Sequence, residues 1–149
     1  MPYEVALPQG WRVSDDKALL DLDLIHRFLS EQSYWAAGIT RPVFERSIAG
    51  SLCFGLYDRT ASQAGFARAI SDHATFAWLG DVFVLPDHRG LGLGHRLVAA
   101  VLAHPELQGL RRWMLATRDA HALYARFGFA VPAEPGRLML RQAPAGRSP

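Results

Sequence analysis

Glycine occupies every second position from Gly90 to Gly94 in PDHRGLGLGHRL, directly after the apolar run DVFVL and before a second apolar run that repeats every four residues. A strand, a turn almost free of side chains and a helix, in that order, build an anion site. The first backbone N–H groups of a helix have no acceptor of their own, and the helix dipole favours negative charge there. Glycine admits positive φ and lets a phosphate come close to the main chain. Two familiar phosphate motifs do not fit. The dinucleotide fingerprint GxGxxG fails because His95 stands where the third glycine belongs, and the P-loop fails for want of GK followed by Ser or Thr. What remains is Arg89, Gly92 and Gly94, spaced as RxxGxG.

The rest of the chain divides into short amphipathic pieces. GWRVS, residues 10–14, reads as a first strand, and Leu19 to Leu29 keeps helical spacing through Leu22, Ile25 and Leu29. SYWAAGITRP breaks that period, and Pro42 opens a second helix that carries Val43, Phe44 and Ile48 and ends at Gly50. LCFGLY (52–57), AGFARAI (64–70) and FAWLGDVFVL (76–85) form a three-stranded meander joined by the turns DRTASQ and SDHAT. After the glycines, Leu93, Leu97 and Val101 mark a helix that stops at His104, ahead of Pro105. RWMLAT (112–117) is strand-like, and DAHALYARFGF places Ala120, Leu123, Tyr124 and Phe127 on one helix face with Gly128 as a left-handed stop. RLMLR (137–141) reads as a last strand and 142–149 as a frayed tail. No repeat or linker interrupts the 149 residues, which read as a single domain.

Composition removes several function classes. Sixteen basic against fourteen acidic residues leave a formal charge of +2, too small and too scattered for a nucleic-acid partner. The single cysteine, Cys53, excludes an internal disulfide, and without CxxC or HExxH spacing no metal site is expected. With no secretory signal and no stretch of about 20 apolar residues, the expectation is a cytoplasmic protein without a membrane partner.

RxxGxG between DVFVL and an amphipathic helix resembles the pyrophosphate-binding motif of the GNAT superfamily of acyl-CoA N-acyltransferases. TRDAHALYARFGF, residues 117–129, is similar to a second GNAT motif in Ala120, Leu123, Tyr124, Gly128 and Phe129, with Thr117 where asparagine is usual. The resemblance implies an α/β fold: a mixed, mostly antiparallel sheet with helices on both faces, splayed at two parallel central strands. It implies acetyl-CoA as cosubstrate, with the backbone from Gly90 through Leu91, Gly92, Leu93 and Gly94 to His95 around the pyrophosphate and Arg89 orienting the turn. Val82 and Val84 would pair with the pantetheine arm, and Tyr124 would protonate the leaving thiolate. The implied reaction is transfer of an acetyl group to a primary amine of a small molecule by direct attack. An acyl-CoA-binding module with little turnover, or an acyltransferase acting on a protein, peptide or tRNA-borne amine, are the rivals, and a homodimer is compatible with any of them.

Several residues carry two readings. By spacing alone Tyr124 is equally a core aromatic with a satisfied hydroxyl. Asp81 is either a group that binds or deprotonates an ammonium substrate, or the cross-strand partner of Arg68. Polyamine acetyltransferases, similar in this strand, carry an acid one position earlier, where this chain has Gly80. Tyr34 and Trp35 are candidate walls of an acceptor pocket and Arg41 a candidate carboxylate holder; otherwise Trp35 caps the core and Arg41 is solvated. His73, His88 and His121 are candidate proton shuttles or plain surface residues, and Cys53 is a small buried hydrophobe.

Overall fold

The computed structural model describes residues 1–144. Six strands form one sheet in sequence order: β1 (Glu4–Ala6), β2 (Arg12–Ser14), β3 (Leu52–Tyr57), β4 (Gln63–Ser71), β5 (Phe76–Val84) and β6 (Arg112–Met114). All neighbours are antiparallel except β5 and β6, so the mixed, mostly antiparallel α/β architecture is the one expected.

Two helices, α1 (Leu22–Glu31) and α2 (Arg41–Ala49), lie between β2 and β3. α1 starts at Leu22 rather than Leu19 because Asp21 caps it, accepting from Leu24 N–H at 3.1 Å, while Lys17–Leu19 is a separate 3-10 turn. α3 (Leu93–Leu102) follows the glycines and α4 (His121–Ala125) follows β6.

Alternation along the strands divides the core into two layers. Phe54, Leu56, Ala67, Ala69 and Leu79 face α3 and α4 and pack with Leu97, Val98 and Val101. Cys53, Phe66 and Phe83 face the other way, onto Ile25, Phe28 and Leu29 of α1 and Phe44 and Ile48 of α2. Each large apolar side chain so buried contributes roughly 1.5–3 kcal/mol of transfer free energy. The sheet is therefore held as the middle of three layers.

Three expectations need correction. GWRVS is the second strand; β1 precedes it and pairs Val5 with Val13. β6 stops at Met114, short of Thr117, because β5 and β6 diverge there. RLMLR forms no strand: residues 138–144 have no regular structure and β6 is the edge of the sheet. Residues 145–149 of the expected tail lie outside the described residues.

Candidate active site

β4 and β5 pair Phe66 with Phe83 and Arg68 with Gly80, which leaves Asp81 and Val82 together opposite Ala67. That is a β-bulge of one extra residue, and within it Asp81 takes a left-handed φ of +53°. The side-chain rhythm shows the same step. Leu79, Val82 and Val84 all pack toward α3, although 79 and 82 are three residues apart.

The bulge also sets which way the main chain faces. Leu85 N–H donates to Ala64 C=O at 2.8 Å. By strand alternation Phe83 and Leu85 direct their polar groups at β4, so Val82 and Val84 direct theirs to the opposite side. On that side the parallel pairing of β5 and β6 covers only Phe76–Trp78 against Arg112–Met114 and then ends. Val82 and Val84 therefore present main-chain groups to a V-shaped opening. One of these groups is already occupied, since Arg89 Nε donates to Val84 C=O at 3.0 Å. Arg89 is thereby tied to the end of β5, and the Val84 N–H is the main-chain group left outside that bond.

The glycine turn runs from Gly90 into α3. Among the described residues no backbone acceptor pairs with the N–H groups of Gly90 to His95, and Arg96 is the first to donate, to Gly92 C=O at 3.2 Å. Gly90 and Gly92 have φ of +83° and +75°, the left-handed geometry that glycine adopts without steric cost. Gly94 differs, because its φ is not positive and a Cβ there would meet nothing nearer than Leu123 Cδ2 at 4.0 Å. The fold itself does not require glycine at 94. Leu91 is exposed, Leu93 is buried in the core, and the His95 ring lies 4.6 Å from that of Phe127.

Tyr124 projects from α4 into a cavity of about 930 Å³ bounded by β6, α4 and residues 129–138, shared with Thr117 and His121. Burial pushes its phenol above the usual tyrosine value, and the nearby Tyr34 phenol adds to this. Thr117, in place of the usual asparagine, accepts from Ala120 N–H at 3.0 Å and so braces the turn into α4.

Tyr34 and Trp35, in the loop between α1 and α2, reach both arms of the opening. Trp35 Nε1 donates to Asp81 Oδ1 at 2.8 Å on the β5 side. On the β6 side Tyr34 Oη accepts from Arg118 N–H at 2.9 Å, with the Arg118 guanidinium 3.9 Å from the ring centroid. Arg118 has no signal in the sequence, since only the tertiary fold brings it to Tyr34. Asp81 Oδ2 accepts from Arg68 Nε at 2.8 Å, and Arg68 also donates to Ser51 Oγ at 3.0 Å.

Arg41 does not join this group. It is bound to Asp23 at 2.7 Å and Glu45 at 2.8 Å on the exposed side of α1 and α2. Those bonds hold the Asp23 carboxyl below its usual value. His88 packs edge-on against Trp11, and His73 sits in the β4–β5 turn 3.8 Å from Glu106. Cys53 is buried in the α1–α2 layer. Among the described residues no helix is long and apolar enough to cross a membrane.

Known proteins resemble this chain in sequence and fold. The family model of the acetyltransferase (GNAT) family matches residues 17–129. A solved structure from Xanthomonas campestris pv. campestris, described as a "putative acetyltransferase" of the GNAT family, is 53% identical, covers 98% of this chain and 97% of its own, and superposes with a TM-score of 0.86. A "putative acetyltransferase" of Gibberella zeae is 34% identical over 82% of each chain. A Mycobacterium tuberculosis protein solved in complex with CoA is 18% identical with a TM-score of 0.64, over 79% of this chain and 70% of that one, a likeness of fold alone. A match that takes in the bulged strand, the glycine turn and the Tyr124 helix together, alongside a relative more than half identical over nearly its whole length, makes this chain a member of the GNAT acetyltransferase family.

Proposed function

We propose that the protein transfers an acetyl group from acetyl-CoA to a primary amine of a small molecule by direct attack of the amine. The observation that carries this reading is Gly94. A glycine inside the first turn of a helix costs roughly 0.5–1 kcal/mol relative to alanine. Here neither φ nor packing requires it. It lies beside a run of N–H groups without acceptors, and removing a side chain there leaves room for a diphosphate to reach them.

The residues present fit the cosubstrate. The N–H groups of Gly90 to His95 would hold the pyrophosphate, while Val82 and the Val84 N–H would take the amide groups of the pantetheine arm as an added strand would. Acetyl-CoA supplies the activated thioester. A β5 main-chain N–H near Val84, other than the one taken by the pantetheine arm, would polarise the carbonyl as charge develops on it. Tyr124, a phenol that is protonated at neutral pH and that burial shifts further upward, donates to the departing sulfur. Asp81 has both oxygens engaged, by Arg68 and Trp35, so it shapes the site rather than receiving the amine proton, which leaves through water. Tyr34 and Trp35 form the acceptor wall. A near-neutral charge supports a small amine over a tRNA-borne one, and a lone buried thiol suits a reducing, cytoplasmic setting.

Gly94→Ala tests the reading directly. The unliganded variant is expected to melt at or above the wild-type temperature, while the stabilisation produced by acetyl-CoA shrinks at least several-fold in ligand concentration. An alanine variant that keeps the wild-type shift removes the pyrophosphate from this turn.

A further inference from the structure

The two arms of the opening differ in charge, and neither is built to receive a cation. Asp81 is the only acid in β5, and both of its oxygens are taken, by Arg68 Nε and Trp35 Nε1 at 2.8 Å each. Gly80 beside it has no side chain, and the space above it is filled by Trp78, which shares its face of the strand. The edge of that indole lies where a side chain at position 80 would begin, with Nε1 at 3.3 Å and Cδ1 at 3.5 Å. An ammonium group arriving on this side meets an indole N–H and a carboxylate already neutralised by a guanidinium.

The β6 side carries a placed cation. Arg118 donates its backbone N–H to Tyr34 Oη, and its guanidinium carbon stands 3.9 Å from the centroid of the same ring. A guanidinium stacked on a ring keeps the N–H groups in its plane for a carboxylate. It also covers a ring face on which an ammonium would otherwise rest. Asp119 comes no nearer than 3.7 Å, and the two side chains are 65% and 68% exposed, so this pair contributes little. Thr117, the residue before Arg118, lines the cavity with Tyr124. Arg118 thus stands at the edge of the transfer site, whereas Arg41, the carboxylate holder expected from sequence, is committed to Asp23 and Glu45.

We infer that the acceptor is a small amine bearing a carboxylate on the same molecule, and that Arg118 holds the carboxylate while the amine faces the thioester. The inference rests on the acetyl-transfer reading and names its substrate class. The carboxylate takes no part in the bonds exchanged. The amine nitrogen bonds to the acetyl carbon as the carbon–sulfur bond breaks, the sulfur leaves with a proton from Tyr124, and the proton of the amine passes to water.

Thiol release from acetyl-CoA, measured on amines matched with and without a carboxylate, tests this: histidine and histamine, tyrosine and tyramine, ornithine and putrescine. In every pair that is turned over, the carboxylate-bearing member should have a kcat/KM higher by roughly tenfold or more, the scale of one charge-assisted contact. Arg118→Gln should remove the difference by raising KM, with Tm and the acetyl-CoA thermal shift unchanged because the side chain is exposed. Arg118→Glu should invert the preference. Equal rates within pairs, faster transfer to the decarboxylated members, or a preference that survives Arg118→Gln overturns the inference and leaves the transfer reading standing. Absence of thiol release with any amine overturns the transfer reading, and this inference with it.

Discussion

Arg68 and Asp81 meet across the β5 bulge at 2.8 Å, with the side chains 17% and 10% exposed. The register opposes Arg68 to Gly80, so the bulge is what carries the carboxylate to the guanidinium. Asp81→Asn keeps the shape and removes the charge, leaving Arg68 with a neutral acceptor. Denaturant titration should show a loss of about 1.5–3 kcal/mol, the usual worth of a hydrogen bond to a charged group. Acetyl-CoA binding and turnover per folded molecule should remain near wild type. A fully folded variant with turnover lost would instead put Asp81 in the chemistry.

The three glycines separate by reason. Gly92→Ala forces a side chain into φ of +75° and should cost about 1–2 kcal/mol without any ligand present. Gly92→Asp adds negative charge beside the free N–H groups and should also abolish the thermal shift with acetyl-CoA. Paired melting curves, with and without coenzyme, distinguish the two effects.

Tyr124→Phe retains the ring that packs against Phe129 and deletes the hydroxyl. A positioned general acid is worth roughly 10²- to 10⁴-fold, and a thiolate leaves readily enough to place this case at about 10². Steady-state kinetics on a confirmed amine should show kcat reduced by that factor, with acetyl-CoA affinity and Tm little changed. An unchanged kcat, with product release shown to be fast, would leave Tyr124 as a packing residue.

Tyr57 has a buried hydroxyl without a partner among the described residues, and its ring lies against Gly55 where any side chain would collide. Burial pushes its phenol up to about 12. The stabilising contribution of the neutral phenol is therefore complete below the ordinary value of 10 and is lost as pH rises from there through about 12. Tyr57→Phe should be as stable as wild type or up to about 1 kcal/mol more so at pH 7. It should also lose less stability between pH 10 and 12, measured by urea titration at each pH.

Cys53 is the chain's single thiol, and burial raises it to about 11. Reaction with a maleimide at pH 8 should be slow in the folded protein and follow the rate of opening. Fast stoichiometric labelling without loss of structure would contradict the packing of Cys53 beneath α2.

Elements with a long apolar period were legible from residues alone. LCFGLY is β3 to the residue, and the glycine turn is where RxxGxG placed it. β1 was missed because three residues carry too little pattern to stand out. RLMLR was read as a last strand and is not one, since its apolar residues suit a strand but none of the six strands pairs with it. Arg41 was misplaced because Asp23 lies 18 residues away in sequence and a neighbouring helix supplies it. The Trp35–Asp81 bond, spanning 46 positions, has no local trace at all.

The extra residue at Asp81 also bears on how this chain can vary. Were Asp81 deleted, Ala67 would face Val82 alone, and β5 would pair with β4 in unbroken alternation with Phe83 still opposite Phe66. Phe83 would keep its stack with Phe28, 3.9 Å between centroids. What would go is the carboxylate that Arg68 and Trp35 both hold, and with it the tie between the α1–α2 loop and β5. The insertion is therefore dispensable to the sheet on either side of it, and its consequence is felt in the loop that it anchors.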